Sequence, residues 1–378
     1  MSKVIFTEKE NNRIKSSIRI VFYPIFFMMY MIFAAYFYFY FTEPYFNNGG
    51  ELDPKLFADS LTYLNICRDI SFTEDLSWMR NAGPCIELTL LDFNVGMITI
   101  FNVVILLFTT VLVSNTYKVG LYKFMFLIAI NPLNFLSFFG PNKEVFCLAS
   151  SMCLLAFFRN RAFSIFFAAM SFAFLTRVPM FAAFVIFAIP FLYISHFTDL
   201  RKGGLSTYLF GVSAVALVLT SIVAYFFSAD LSEAILGDLG AAEVNSRSTL
   251  ISLSLEGFSS VGLYLITYIV RLTLNFYSPL ATIFSSDIEL TGIYYAVGVT
   301  GSSILYMLMV PRIFIRWSSI AQSINTNERY LIVNFLFITT LMLCLSPVIQ
   351  HRYFLFVYPA FALFLSSKHS HRRISDCH

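Results

Sequence analysis

Charge is what this chain has least of. Lysine, arginine, aspartate and glutamate make up 12% of its 378 residues, about half the share that soluble domains carry. Hydrophobic residues make up 58% of the chain, and apolar runs of about 20 residues, the length of a membrane span, recur along it. These features exclude a soluble domain with a single anchor. They predict an all-α, polytopic integral membrane protein.

Motifs that would reveal a particular chemistry are also missing. The sequence contains no P-loop, DxD, GxSxG or HExxH pattern, and no CxxC or Cys/His spacing suited to a metal. His369 and His371 form an HxH in the tail, which fits a solvated basic end better than a metal site. We therefore expect no metal and no cofactor. The net charge of +3 does not indicate nucleic acid, because the basic residues follow membrane topology.

The apolar runs predict about ten transmembrane helices within a single membrane domain, 1–378. Breaks rich in lysine and arginine should face the cytoplasm, which places both termini there. The first run is too long for a cleaved signal peptide and ends without small residues, so we interpret it as a retained anchor. The predicted spans are 19–41, 93–113, 119–138, 144–158, 162–177, 179–195, 207–227, 292–313, 330–348 and 353–367.

One further apolar stretch, 258–283, is interpreted as a re-entrant or interfacial helical element. If it crossed the membrane, Arg312, Arg316 and Arg329 would move to the outer side, against the positive-inside rule. Its own Arg271 supports this interpretation, because an arginine at mid-bilayer costs at least ~2.5–3.5 kcal/mol. The alternative is an ordinary span in which Arg271 is paired inside the bundle.

Two outer segments are long enough to fold, a first periplasmic loop at 42–94 and a second at 228–257, each with a small amphipathic segment. In the first, the Asp-Pro pair at 53–54 is a helix-start signal. Of the six cysteines, only Cys67 and Cys85 lie in this loop. An oxidising compartment would let them form a disulfide.

Single basic residues recur at tight outer turns, against the positive-inside trend. Each alone is compatible with a side chain that reaches lipid headgroups, and a lysine beside a glutamate can simply pair with it. Gathered by a bundle, they would form a basic, partly desolvated pocket suited to phosphate oxygens. The implied ligand is an anion with an apolar tail, such as a lipid-linked phosphate or diphosphate. The residues are Lys143 with its neighbours Asn142 and Glu144, then Arg177, Arg271, and His351 with Arg352.

Such a pocket also suggests a reaction. When a lipid diphosphate leaves a sugar, negative charge develops on it, and fixed cations stabilise that charge. An acceptor hydroxyl needs a base, which a carboxylate on the outer side could supply. Asp59 is the best placed by sequence, with Tyr63 one turn further on, and Glu144 and His351 are alternatives.

Four patches carry a family resemblance: NPLNFLSFFGPNKEVF (131–146), an Arg-Val-Pro hairpin (177–179), YIVRLTLNFYSPL (268–280) and HRYFLFVYPAF (351–361). They resemble the Wzy-like polysaccharide polymerases of bacterial O-antigen and capsule assembly. ADSLTY, after the first span, also resembles the acidic first loop of the wider GT-C class of membrane glycosyltransferases.

The resemblance implies an enzyme of the bacterial inner membrane that uses undecaprenyl-diphosphate-linked oligosaccharides. It would transfer a growing glycan to an incoming lipid-linked repeat unit at the periplasmic face. A chain-length regulator and a flippase would be partners. The implied diphosphate-binding residues are Lys143, Arg177, Arg271 and Arg352, with Asn142 and Tyr63 beside them, and the candidates for acceptor activation are Asp59, Glu144 and His351.

Other functions stay open. A flippase for the same lipid-linked saccharide would also need cations in the membrane, but paired halves with related interrupted helices would be expected, and no half-repeat is visible. Another GT-C-type glycosyltransferase that uses a monosaccharide-phosphate lipid, or a membrane acyltransferase, would differ in its product.

Overall fold

The computed structural model describes residues 8–47, 60–69, 81–176, 181, 184, 297, 298, 300–344 and 355–367, and these are mostly helical and include no strand. A π-helical turn, Tyr38–Thr42, joins the first two helices. The helices are α1 (Glu8–Phe37), α2 (Glu43–Asn47), α3 (Ser60–Asp69), α4 (Ala82–Leu90), α5 (Val95–Tyr117), α6 (Leu121–Ala129), α7 (Pro132–Ser137), α8 (Lys143–Asn160), α9 (Phe163–Thr176), α10 (Thr300–Ile315), α11 (Trp317–Ser323), α12 (Thr326–Cys344) and α13 (Tyr358–Ser366).

Two described helical segments are long and apolar enough to cross a membrane, Val21–Asn47 and Val95–Tyr117. α10 and α11, whose axes differ by 73°, make a third if they form one bent span. Only 6% of the most apolar window of Val21–Asn47 is buried, as expected of a lipid-facing helix. The described chain therefore has a helical, membrane-capable architecture, while the count of about ten spans stays a prediction.

α8 is the centre of the described structure. Every residue from Lys143 to Phe158 is buried, because α5, α9, α12 and α13 all pack against this helix. Small side chains let the neighbours approach closely, and Ser151 donates to the Phe356 carbonyl, just before α13 (2.6 Å). The position of α8 therefore follows from the helices packed around it.

α5 and α8 run parallel to each other. Asn102, in the first half of α5, donates to the carbonyls of Phe138 and Gly140 (3.3 and 3.1 Å), just before α8 begins. Asn160, at the end of α8, donates to Thr116, at the end of α5 (3.0 Å). The chain between these helices, which forms α6 and α7, must therefore run back in the opposite direction.

α9 folds back antiparallel onto α8. The rings of Phe157 and Phe166 lie 5.1 Å apart, and those of Phe146 and Phe172 lie 6.3 Å apart. α9 therefore finishes where α8 starts. We call this end of the bundle, with residues 138–144, the site end. The opposite end, where α5 and α8 finish, is the basic end.

The C-terminal helices also alternate in direction between the two ends. Arg316, after α10, donates to the Leu365 carbonyl near the end of α13 (3.0 Å), and Lys123, at the start of α6, donates to the same carbonyl. α10 and α13 therefore both finish at the basic end. α12 begins there, because its Glu328 lies 3.9 Å from Arg159.

α1 runs beside α6 and α7 in the same direction. The rings of Phe26 and Phe126 are 4.7 Å apart, and those of Phe37 and Phe139 are 4.9 Å apart. α1 therefore runs from the basic end to the site end. The directions of the described helices agree with the alternation predicted from the charge pattern. The predicted spans 179–195 (apart from 181 and 184) and 207–227, the second loop 228–257 and the element 258–283 lie outside the described residues.

The predicted span 119–138 is broken into two helices. α6 ends at Ala129, and α7 begins at Pro132. The Asn131 side chain accepts a hydrogen bond from the Leu133 N–H (3.0 Å) and so caps the new helix. Proline suits a first helical turn but interrupts a helix interior, so the Asn-Pro pair accounts for the break.

Candidate functional site

The segment GPNKE, 140–144, forms a tight turn into α8. Gly140 has a φ of +84°, a left-handed conformation that side chains rarely adopt. The Asn142 side chain accepts a hydrogen bond from the Glu144 N–H (3.2 Å) and caps α8. Lys143 and Glu144 thus occupy the first turn of the central helix, and both are buried.

Lys143 is a buried cation at the start of α8. It is only 8% exposed, and it lies at the N-terminal end of α8, where the helix dipole disfavours a cation. Its Nζ donates to the Asn81 side-chain oxygen (2.8 Å) and sits 5.0 Å from the centre of the Tyr63 ring. A bound anion would accept a charge-assisted hydrogen bond from this ammonium, which is stronger than a bond to a neutral amide.

Two described helices of the loop at 42–94, α3 and α4, lie beside this turn. Cys67 of α3 and Cys85 of α4 form a disulfide, which confirms the pairing predicted from the sequence. Ser60, at the start of α3, donates to the Pro141 carbonyl (3.0 Å). The helix predicted from the Asp-Pro pair at 53–54 is described from Ser60 onward, and 53–59 lies outside the described residues.

The same loop buries a carboxyl group that the sequence analysis missed. Glu87 of α4 is 1% exposed, and within the described part of the chain neither of its oxygens accepts a well-formed hydrogen bond. Burial raises the pKa of Glu87 well above its ordinary value, while the nearby backbone N–H of Asn142 acts to lower that pKa.

A glycine allows this carboxyl to reach the site end. Gly83 lies one turn before Glu87, on the same face of α4. A Cβ added to Gly83 would meet the Leu175 carbonyl oxygen, and would lie 2.9 Å from the Phe146 ring. α4 can therefore lie directly against the start of α8 and the end of α9.

The structure brings Tyr63, Asn142, Lys143 and Glu144 together in one region. Two further predicted residues adjoin it in sequence. Asp59 precedes Ser60, which binds the turn, and Arg177 follows two residues after Leu175, which contacts α4. The predicted site residues that lie outside the described part of the chain are Asp59, Arg177, Arg271, His351 and Arg352.

Among the described residues, no group of histidine, cysteine, aspartate and glutamate side chains could hold a metal ion. What the site end offers is a buried amine, an aromatic face and a buried carboxyl around one helix N-terminus. This arrangement can bind an anion and can accept a hydrogen bond or a proton.

Comparison with known proteins found no match: no protein-family model, no curated protein and no solved structure is similar to the chain. The sequence patches and the geometry of the site end are therefore the features that bear on the function of this chain.

Proposed function

We propose that this chain is a multi-pass membrane glycosyltransferase that polymerises oligosaccharide repeat units carried on undecaprenyl diphosphate. The observation that carries the proposal is Lys143, a buried cation at the N-terminus of the central helix, beside the Tyr63 ring. A helix N-terminus binds anions, and an ammonium in a desolvated site interacts with phosphate more strongly than one in water. A lipid diphosphate supplies the anion and remains anchored in the bilayer.

In this proposal the site end faces the periplasm. Lys143 contacts the diphosphate, and Tyr63 lies beside the first sugar. As the bond between sugar and diphosphate breaks, the developing charge is stabilised by Lys143 and by the predicted cations. Those predicted cations are Arg177, Arg271 and Arg352. The candidates for activation of the acceptor hydroxyl that the sequence predicts are Asp59, Glu144 and His351.

The proposed topology has ten spans in a bacterial inner membrane, with both termini cytoplasmic. The described ends Thr176 and Thr300 support it, because α9 finishes and α10 starts at the site end. A chain that leaves and returns at the same end crosses an even number of times. The predicted spans 179–195 and 207–227 satisfy this condition if 258–283 does not cross. Cysteine labelling at Ser259 and Ser285 tests the prediction, since labelling from opposite sides would contradict it.

Deletion of the gene in its native host tests the function. If the chain is a polymerase, surface lipopolysaccharide or capsule from the deletion strain should lose its long-chain ladder on a gel and keep a single repeat unit. Plasmid-borne wild type should restore the ladder. Loss of every repeat unit, including the single one, would contradict the polymerase.

A flippase for the same lipid-linked saccharide is the second candidate. The observation that favours it is the break between α6 and α7 at Asn131 and Pro132, because interrupted helices line the substrate sites of many transporters. Its deletion would remove every surface repeat unit, so the same gel separates the two functions.

A further inference from the structure

We infer that Glu87 is the residue that takes the proton from the acceptor hydroxyl during glycosyl transfer. The reaction rests on the function proposed above. The position of Glu87 rests only on described residues.

Glu87 occupies a position that folding alone does not explain. Buried polar groups in proteins are nearly always hydrogen-bonded, and a buried carboxyl without partners is costly. Neither Glu87 oxygen accepts a well-formed hydrogen bond from a described residue, although the backbone N–H of Asn142 lies close enough to act on the carboxyl. The surrounding helix, AGPCIELTL, is otherwise apolar or small, so an aliphatic side chain would suit this position better. A ligand that donates hydrogen bonds would complete the group.

The contacts of α4 direct this carboxyl toward the first turn of α8. Gly83 and Glu87 share one face of α4, and Gly83 lies against Phe146 of α8. The backbone N–H of Asn142 acts on the Glu87 carboxyl. Glu87 therefore borders the same helix N-terminus that carries Lys143.

Lys143 and Glu87 are complementary to the two parts of one kind of substrate, a diphosphate and a saccharide. Lys143 and the helix N-terminus donate hydrogen bonds, which diphosphate oxygens accept. Glu87 accepts hydrogen bonds, which saccharide hydroxyls donate. A saccharide hydroxyl held next to a sugar diphosphate satisfies both groups at once.

The atoms and electrons of the transfer step balance with these groups alone. The acceptor O–H bond breaks, and its proton moves to a Glu87 carboxylate oxygen. The hydroxyl oxygen uses the freed electron pair to bond to the anomeric carbon of the donor sugar. The bond from that carbon to the diphosphate oxygen breaks, and its electron pair leaves with the lipid diphosphate, which Lys143 contacts. Transfer proceeds from molecules in which Glu87 has lost its proton. Because burial raises the pKa of this carboxyl, its carboxylate is a stronger base than a solvated one.

Glu144, the other described acid of the site, is less suited to the role. It lies in the first turn of α8, and its backbone N–H is bonded to the Asn142 cap. Glu144 also takes part in a further interaction, whereas neither Glu87 oxygen accepts a well-formed hydrogen bond from a described residue.

The test is glycosyl transfer by the purified full chain in lipid vesicles, with undecaprenyl-diphosphate-linked repeat units as substrate. Glu87→Gln keeps the shape of the side chain but cannot take a proton, so the rate should fall by about 100-fold or more. Binding of the lipid-linked substrate should be retained. Asp92→Asn is the matched control, because Asp92 is an exposed acid just after α4 with a φ of +50°, which asparagine also adopts.

The outcomes separate the two proposals. An active wild type with an equally active Glu87→Gln variant would overturn the role of Glu87 and leave the polymerase standing. A wild type that transfers nothing would overturn both.

A second measurement does not depend on the folding of a variant. Dicyclohexylcarbodiimide reacts with protonated carboxyl groups in apolar surroundings, and mass spectrometry of the wild-type protein would report modification of Glu87. The lipid-linked repeat unit should protect Glu87 more strongly than undecaprenyl diphosphate alone, because only the former carries saccharide hydroxyls. Equal protection by the two would overturn the inference.

Discussion

Charged side chains are placed differently at the two ends of the bundle. At the basic end, Lys123 and Arg316 donate to the Leu365 carbonyl in the last turn of α13, where the helix dipole favours cations. Arg159 lies 3.9 Å from Glu328. Each of these cations thus lies beside a carbonyl or carboxylate oxygen.

At the site end the placement is reversed. Lys143 lies at the N-terminus of α8, where the dipole disfavours a cation, and Glu87 is buried without a hydrogen-bond partner in the described residues. Folded proteins break local rules of this kind mainly where function requires it. The contrast between the ends therefore supports the proposal that the site end binds a ligand.

The largest expected effect on stability comes from the disulfide that joins α3 to α4. Replacing both Cys67 and Cys85 with serine should lower the free energy of unfolding by roughly 3 kcal/mol, since the bond closes a short loop in the unfolded chain. Thermal unfolding in detergent measures the change. Reductant should lower the melting temperature of the wild type and leave that of the double variant unchanged. A wild type insensitive to reductant would contradict the prediction.

The same substitution at the two ends should have different consequences. Lys143→Met should slow glycosyl transfer about 10- to 150-fold, because it removes a charge-assisted contact worth roughly 1.5–3 kcal/mol. Lys123→Met removes a bond to the end of α13 and should lower stability, with the rate per folded molecule unchanged. The measurements are single-turnover transfer and thermal unfolding. Full polymer from a well-expressed Lys143→Met variant would place the ligand site elsewhere.

The close packing of α4 against α8 and α9 can be tested by adding one methyl group at Gly83. Gly83→Ala should destabilise the site end by about 1–3 kcal/mol, because its Cβ would collide with the Leu175 carbonyl oxygen and the Phe146 ring. Gly120→Ala is the control, since its nearest neighbour, the Cβ of Lys123, is 3.9 Å away. Equal melting temperatures for the two variants would contradict this packing.

The smallest expected effect is a change in the pH dependence of stability. The folded protein retains a proton on Glu87 that the unfolded chain releases above its ordinary pKa of 4.5. The free energy of unfolding should therefore fall as the pH rises from there to the raised pKa. Glu87→Gln lacks this loss, so its advantage in melting temperature over the wild type should grow with pH. Lys143 and Glu144 are the charged groups of α8 at this end. An advantage that is independent of pH would contradict the burial of Glu87.

The sequence predicted those features that depend on local pattern. Apolar runs and basic breaks predicted the helices and their alternating directions, because lipid and headgroups impose both. The disulfide followed from the presence of Cys67 and Cys85 in a single loop. The break at Pro132 was also readable from the sequence, although 119–138 was predicted as one span.

The features that the sequence did not predict depend on contacts between distant segments. The burial of Glu87 results from the packing of Gly83 against Phe146 and Leu175, which no local pattern indicates. The central position of α8 could not be predicted from the sequence for another reason. An apolar helix has the same composition whether lipid or protein surrounds it.

Synthesis proceeds from the N-terminus, so α3 and α4 leave the ribosome before the turn that they cover. The disulfide between Cys67 and Cys85 closes within this early segment, whereas Pro141 and Lys143 arrive only after α5, α6 and α7. Until then the carboxyl of Glu87 has no α8 against which to be buried. The site is therefore completed only when α8 has been made and packs against α3 and α4.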